Sequence, residues 1–497
     1  MLQGFRQRVG AWVGGFDAAL ANRRMRGFRP ARAHVNTLLK AAGPEMTARA
    51  RWLVRNNGYA ANAIESWAAN AVGDGIKPSA RMSDPEAKKA LQALWEAWTD
   101  EADAEGLTDF YGLQRRVARE VFLAGEVFVR FRPRRAEDGL RVPLQLEMLP
   151  SEMLPIEREA VLPGGTTLRQ GIEFDAIGRR VAYHFLRRHP GDPAACGIAG
   201  ETVRVPASEV LHIIDPVEAG QLRGVSKLAP AIVKLFLLDQ YDDAELDRKK
   251  VAAMYALFVT SPAPEGPLAA PEDDGQFEVA PGQVVRLDPG EDVKVADPAD
   301  SGGTYEAFQY RTLLQVSAAL GIPYPFLTND MVRGNFSNSR LALMEFRRRV
   351  QSWQHSVLVF LMCRPVWERW LDTAVLAGAL ELPGYDRDPR AFRAADWLPT
   401  RWAWVDPLKD ISAEIAEIEA GLKSRTQAVS ERGYDVEQLD DEIAAERARA
   451  AALGLDYRRP GSPATGADVG GGAGSDDDGL DPDRVDERER AADRAGE

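Results

Sequence analysis

Hydrophobic positions along the chain change their spacing several times, and each change marks an element. Trp52, Leu53, Ile64, Trp67 and Ala71 recur near helical spacing. Pro44 reads as the opening of this stretch, Gly58 as a joint between two helices, and Gly73 and Gly75 as its end. Leu91, Leu94, Trp95 and Trp98 share one side of a charged helix, and another helix is predicted from about Phe110 to Leu123. The period then falls to two. Val127, Val129 and Phe131 alternate with Phe128, Arg130 and Arg132, and Val142, Leu144, Leu146 and Met148 alternate with polar neighbours. Ile172–Phe174, Val181–Leu186 and Val210–Ile214 read as further strands between Gly, Pro and Asp turns. This segment is α+β, with an antiparallel or mixed sheet.

From Ser226 to Phe258 the pattern is helical again, with a break near Pro230 and dense charge over Asp242–Lys250. Residues 261–275 are a Pro- and acid-rich loop. Two short strands follow, around Val285–Leu287 and Val293–Val295, turned by Pro281-Gly282 and Pro289-Gly290. A helix from about Tyr305 to Leu320 stops at Gly321 and Pro323, and residues 326–339 form a polar loop. The longest helix begins near Arg340, with Phe346, Val350, Trp353, Val357 and Phe360 on one stripe. Pro365 must kink or end it, Val366–Leu380 continues as helix, and Trp402–Val405 is a strand. Asp406 and Pro407 start a helix in which Ile411, Ile415, Ile418 and Leu422 line up, and Asp435 with Gln438 resembles a capping box. Residues 408–454 thus read as a small helical unit. After Pro460 large apolar residues almost vanish, which predicts disorder. The central helices flank a small β unit that cannot cover them, so they need further copies of the chain or a partner.

Composition narrows the class. At roughly 150 residues per domain, 497 residues make about three domains' worth of chain. With 45% hydrophobic and 28% charged residues, the chain is neither wholly disordered nor a membrane bundle. The longest apolar run, Val357–Cys363, is far shorter than the ~20 residues that span a bilayer. Cys196 and Cys363 are the only cysteines, which excludes a disulfide framework and fits a reducing compartment. The net charge of −13 is spread unevenly. Residues 1–60 hold eleven Lys or Arg against two acids, and residues 461–497 hold eleven acids against four Arg. The first stretch, broken by Asp17 and followed by Arg23, Arg24 and Arg26, reads as a basic arm and not as a signal peptide, which puts the chain in a cytoplasm. The acidic whole argues against a protein that coats DNA.

Catalytic arrangements are absent from the sequence. No GxxxxGK[ST] phosphate loop occurs, and Gly73-Asp74-Gly75 follows a helix and lacks the third glycine of a dinucleotide fingerprint. His34, His184, His189, His212 and His355 have no neighbours at metal-ligand spacing, and His184 and His212 read as hydrogen-bonded strand residues. Ser226 is not in a GxSxG elbow. Asp242 and Asp243 read as a solvated or intersubunit face, and Asp476–Asp478 as part of a solubilising tail. No cofactor and no metal are expected. The loop 326–339, with Arg333 beside Gly334 between two long helices, reads on sequence grounds either as an ordinary surface loop or as a segment able to contact a moving polyanion.

Five stretches carry a resemblance. They are LVRNNGYAANAIESWAANAVGDGIKP (53–78), GIEFDAIGRRVAYHFLRRHPGD (171–192), GQLRGVSKLAPAIVKLFLLDQYDDAEL (220–246), LGIPYPFLTNDMVRGNFSNSRLALMEFRRRVQSWQ (320–354) and WAWVDPLKDISAEIAEIEAGLKSRTQAVSERGYD (402–435). In this order, from about 47 to 455, the chain resembles the lambda-type family of tailed-bacteriophage portal proteins. Phe336 and Asn338 stand where Tyr and Ser are common in that family.

The resemblance implies a non-enzymatic ring, typically of twelve copies, at one capsid vertex of the virion, assembled in the bacterial host cytoplasm. Double-stranded DNA passes through its channel during packaging and ejection. The terminase large subunit, the major capsid or scaffold protein and the head–tail connector are the implied partners, with no membrane involved. The implied organisation is a basic arm (1–45), a wing (46–234), a stem helix (235–258), a clip (259–303), a second stem helix (304–321), a tunnel loop (322–339), the wing's long helix and strand (340–405), a helical crown (406–457) and an acidic tail (458–497). The tunnel-loop residues that would face DNA are Asn329, Asp330, Met331, Val332, Arg333, Gly334 and Asn335. The alternatives are a DNA-processing nuclease or ATPase of a packaging machine and a monomeric scaffold or adaptor.

Overall fold

A computed structural model describes residues 27–82, 84–192, 200–253, 257–260, 292–295, 304–332, 336–400, 402 and 407–455. Helix α1 (Val35–Asn56) does not open at Pro44 but runs through it. Its start is set upstream, where the His34 ring accepts the Asn36 N–H at 3.2 Å. Asn57 ends this helix and caps the next, α2 (Gly58–Val72), by accepting the Ala60 N–H at 3.0 Å. After β1 (Lys77–Ala80), Asp84 with Pro85 opens α3 (Pro85–Thr99), and Asp109 caps α4 (Phe110–Ala124) through the Gly112 N–H at 2.7 Å.

The strands that follow form two sheets. β2 (Glu126–Pro133) is the centre of the first, between β3 (Leu144–Pro150) and β9 (Val210–Ile214). The second runs in sequence order through β4 (Ala160–Val161), β5 (Thr167–Arg169), β6 (Ile172–Phe174), β7 (Arg180–Leu186) and β8 (Thr202–Pro206). Every strand ladder among the described residues is antiparallel.

Helix α5 (Ile232–Ala253) ends earlier than its sequence pattern suggests. Leu257 and Phe258, read as its last turn, belong instead to β10 (Leu257–Thr260), which pairs with β11 (Asp292–Val295). The expected strand at Val285–Leu287 lies outside the described residues. Helix α6 (Thr304–Leu320) is as expected, whereas the polar loop after it is shorter than expected. A short helix, α7 (Tyr324–Thr328), precedes it, and α8 (Phe336–Trp353) starts before Arg340.

Pro365 does not end this long helix. Over Gln354–Cys363 the turns widen to π geometry, the Arg364 N–H donates to the Val359 carbonyl five residues back, and α9 (Arg364–Leu376) resumes with Pro365 in its first turn. Pro365, which has no N–H to donate, sits where the wide π turns give way to α geometry. After α10 (Pro389–Arg393), β12 (Ala395–Leu398) returns to pair with β1. Of the expected strand at 402–405, only Trp402 is described, and it is irregular. Helices α11 (Pro407–Glu419) and α12 (Arg425–Ser430) belong to the first of two compact units, which ends at Val436. Helix α13 (Val436–Leu453) runs on into the second.

Two cores explain the arrangement. β2 lies between them, because its alternate side chains point to opposite faces. Val127, Val129 and Phe131 enter the larger, which centres on Trp95, Trp98, Phe110, Trp367 and Trp370. The Trp95 ring sits 4.9 Å from Trp367 and 5.0 Å from Trp370, both edge-on. Phe128 points the other way and meets Phe185 at 5.2 Å in the smaller core between the sheets.

Glu126, at the start of β2, sits where these bodies join. Its carboxylate is buried and accepts four hydrogen bonds: from Ser151 Oγ (2.6 Å), Arg223 Nε (2.7 Å), His212 Nε2 (2.8 Å) and the Gly224 N–H (2.8 Å). Arg223 is buried too, and also donates to the Gln170 and Ser151 carbonyls at 3.2 and 3.0 Å. Arg180 Nη1 lies 3.2 Å from His212 Nδ1. An arginine can only donate, so Nδ1 is an acceptor and the imidazole is neutral, with its proton on Nε2 toward Glu126. Burial pushes His212 below its ordinary value in the same sense. Burial alone would raise Glu126, but the Arg223 charge and the donors around it hold the carboxyl well below the usual carboxylate range. The backbones touch here as well. A Cβ on Gly125 would lie 2.2 Å from the Val225 nitrogen, and one on Gly224 would lie 2.3 Å from the Gly125 carbonyl carbon.

Glu126→Gln leaves Arg223 buried without its counter-charge. It should lower unfolding stability by about 3–5 kcal/mol, read by denaturant titration; a change within ~0.5 kcal/mol would refute this role. Stability should also fall with acid in two stages. The unfolded chain binds a proton at His212 below about 6.5 that the folded chain does not, and one at Glu126 below about 4.5, so each contribution is present above these values and is lost as the pH drops through them. Melting temperatures measured across that range check this, and a curve flat from pH 7 to 4 would contradict it.

Candidate functional site

The segment that begins at Arg223 leads directly into α5, so the helix grows out of the Glu126 clasp. α5 is apolar on two sides. Leu235 and Leu238 are buried against the main body, whereas Val233, Phe236 and Leu237 are exposed. A helix partner covers part of the remainder. Tyr305 and Gln309 of α6 donate to the Asp242 carboxylate at 2.9 and 3.2 Å, and Lys234 of α5 hydrogen-bonds Gln315 of α6. Asp242 therefore works inside the α5–α6 pair while it stays half-exposed. Only Asp243 of that acidic pair is exposed. Burial and then the Asp242 charge push the Tyr305 phenol up to about 12, so it stays a donor near neutral pH.

At the end of α6 the chain turns by a left-handed Gly321 (φ 70°), and Ser317 Oγ donates to the Ile322 carbonyl at 2.5 Å. Helix α7 is pinned at its C-terminal end by Asn62 of α2, whose Nδ2 donates to the Phe326 and Leu327 carbonyls at 2.7 and 2.8 Å. Helix ends leave such carbonyls without intrahelical partners, so one amide supplies what the helix cannot. The rings of Tyr310 and Tyr324 pack edge-on at 5.0 Å, and Phe326 packs on Phe346 at 5.9 Å.

The expected site residues are divided by this geometry. Asn329 is the left-handed cap of α7 (φ 57°), its N–H donating to the Pro325 carbonyl at 2.8 Å. Asp330 accepts from Tyr324 Oη at 3.2 Å and from the Val332 N–H at 3.0 Å. These two residues shape the turn. Met331 and Val332 project beyond it, Val332 being 93% exposed. Arg333, Gly334 and Asn335, which carry the expected cation, lie outside the described residues. Asn62, Tyr305, Gln309 and Tyr324 were not singled out by sequence reasoning. Nothing in the sequence set Asn62 apart from Glu65, Ser66 and Asn70, the other polar positions of the same helix.

His184 and His212 are hydrogen-bonded strand residues, as expected: His184 Nε2 lies 2.9 Å from Glu173. Among the described residues no group of three His, Cys, Asp or Glu side chains is placed to hold a metal ion. No described helix is long and apolar enough to cross a membrane.

Residues 21–354 match the family model described as phage portal protein, lambda family. The chain belongs to the lambda family of phage portal proteins. It is 25% identical to the probable portal protein of Halomonas phage phiHAP-1 over 82% of this chain and 80% of that one. It is 23% identical to portal protein B of Escherichia phage lambda over 87% and 88%. Among solved structures, a chain from the neck of a native gene transfer agent particle is 16% identical, with a TM-score of 0.45, over 78% of this chain and 93% of that one.

Asn62→Ala removes both donors from the end of α7. The variant should lose about 1–2 kcal/mol, and the 326–332 turn should be cut faster in limited proteolysis. Unchanged cleavage there would show that Asn62 does not hold the turn.

Proposed function

We propose that this portal protein forms a closed ring of twelve copies at a capsid vertex and gives DNA its way in and out. The ring is assembled in the cytoplasm of the bacterial host. The observation that carries this reading is the two-sided α5. It has buried leucines on one face and exposed Val233, Phe236 and Leu237 on the other, and such a helix is complete only against another protein surface. Family membership supplies the kind of assembly.

In this reading α5 and α6 form the stem and the β10–β11 ladder begins the clip. Residues 322–339 carry the tunnel loop, and the sheets with α8 and α9 make the wing. Residues 406–457 are the crown. The basic arm, 1–45, takes in the first turns of α1. The clip end would receive the terminase large subunit and later the head–tail connector, and the wing would meet the major capsid or scaffold protein. The protein works without a cofactor and without catalysis. No observation favours the nuclease or ATPase alternative.

The charge fits a conduit. Each phosphate gripped by a cation adds affinity through counterion release, and many such contacts would stall a moving duplex. A chain of net charge −13 avoids this, leaving Arg333, repeated around the ring, as the main positive contact. The flanking Met331 and Val332 add short apolar tips next to it.

In a packaging extract, proheads built without this chain should take up no DNA, and normal uptake without it would remove the function proposed. Arg333→Glu should leave rings intact by negative stain and change packaging rate or DNA retention severalfold. Wild-type packaging by that variant would exclude Arg333 as the contact.

A further inference from the structure

Two unfinished surfaces are built from different elements of the subunit. The first is the outward face of α5, where Val233 and Leu237 are 63% and 56% exposed. Phe236 lies edge-on to Trp52 of α1 at 6.1 Å, so the patch continues onto that helix. Two turns further along the same side, Asp243 is exposed, with no partner among the described residues.

The second is a cleft of about 570 Å³ between the last turn of α6 and the exposed side of α8. Trp67, Phe122 and Trp353 form aromatic lining, with Trp67 and Trp353 edge-on at 5.4 Å. Both indole N–H groups are buried and without a hydrogen-bond partner. Arg348 stands at the rim beside the Glu345–Arg349 pair; it is exposed and has no partner among the described residues.

We propose that the α5 face of one copy docks in this cleft on the next copy, Phe236 and Leu237 over the aromatic lining and Asp243 against Arg348. The inference rests on the ring reading and names the faces that close it. A cyclic assembly needs two different, complementary patches on each subunit, because a patch that pairs with itself closes a dimer and stops. These patches meet that requirement in three ways. They come from different elements, α1 and α5 against α6 and α8. One offers protruding aromatic and aliphatic side chains, and the other a recess lined by Trp67, Phe122 and Trp353 together with the Lys227–Asp215 ion pair. Their unpaired charges are opposite in sign, which favours this pairing over α5 against α5, where Asp243 would meet its own copy.

Cross-linking tests it. In a Cys196→Ser background, the Leu237→Cys/Ser352→Cys double variant is assembled and treated with a short bis-maleimide. The expected result is a covalent ladder extending to the full ring on a denaturing gel, with no ladder from either single variant. Rings of normal size that give no ladder overturn the docking and leave the ring itself standing. Arg348→Glu should cut the assembled fraction at least tenfold without changing the subunit's melting curve, and adding Asp243→Arg should restore it. A wild-type assembled fraction in Arg348→Glu overturns the proposal too. A wild-type chain that never assembles removes the ring reading, and the docking with it.

Discussion

The architecture depends on one buried carboxylate. Glu126 lies at the point where the strand between the two cores begins, and its two oxygens are used up by donors from three different places along the chain: Ser151, His212 and the consecutive residues Arg223 and Gly224. A buried charge is tolerable only when paired and hydrogen-bonded, so the chain has little freedom to place those segments elsewhere. The segment that provides Arg223 and Gly224 also launches α5. The direction in which this helix leaves the body is thereby coupled to the packing of both sheets. Two glycines allow the backbones to cross at van der Waals distance, since side chains at Gly125 or Gly224 would overlap the opposing main chain.

What leaves the body is a helix pair that is well joined internally and incomplete outside. Asp242, Tyr305 and Gln309 join α5 to α6 by side-chain hydrogen bonds, and Asn62 and Ser317 hold the turn that follows. The tip beyond Asp330 is therefore presented from a rooted base. The exposed apolar side of α5 remains, and water is a poor neighbour for it. In the ring proposed above, the next copy would supply the missing neighbour, and repeated copies of the same tip would line a central hole. The acidic balance of the chain would then have a physical use, because a duplex confined by repulsion and steric fit moves more easily than one held by cations.

Much of this was legible in the sequence where periodicity is long. The helices predicted at Phe110–Leu123 and Tyr305–Leu320 differ from those observed by a residue at most, and the alternation across residues 127–131 marks the strand that serves two cores. Short or remote pairings were not legible. Lys77–Ala80 contains a proline and pairs with a strand more than three hundred residues away, so nothing local announces it. Leu257 and Phe258 continue an apolar pattern and read as helix, and only the ladder with Asp292–Val295 makes them a strand. Pro44 and Pro365 were read as boundaries because proline usually marks them. A cap at His34 and a widened π turn before Arg364 moved the real boundaries. Glu126 could not be found from sequence at all, because its partners are scattered and only tertiary structure gathers them. The division of labour in the turn, with Asn329 and Asp330 shaping it and Met331 and Val332 projecting, also needed the structure.

The central claim is that an isolated subunit is unfinished and that a closed circle of copies completes it around a pore. Mass photometry of the purified chain over a range of concentrations tests this most directly. The account predicts a discrete population at about twelve times the subunit mass, growing at the expense of the monomer as concentration rises. A chain that remains at the mass of one subunit at every concentration contradicts it.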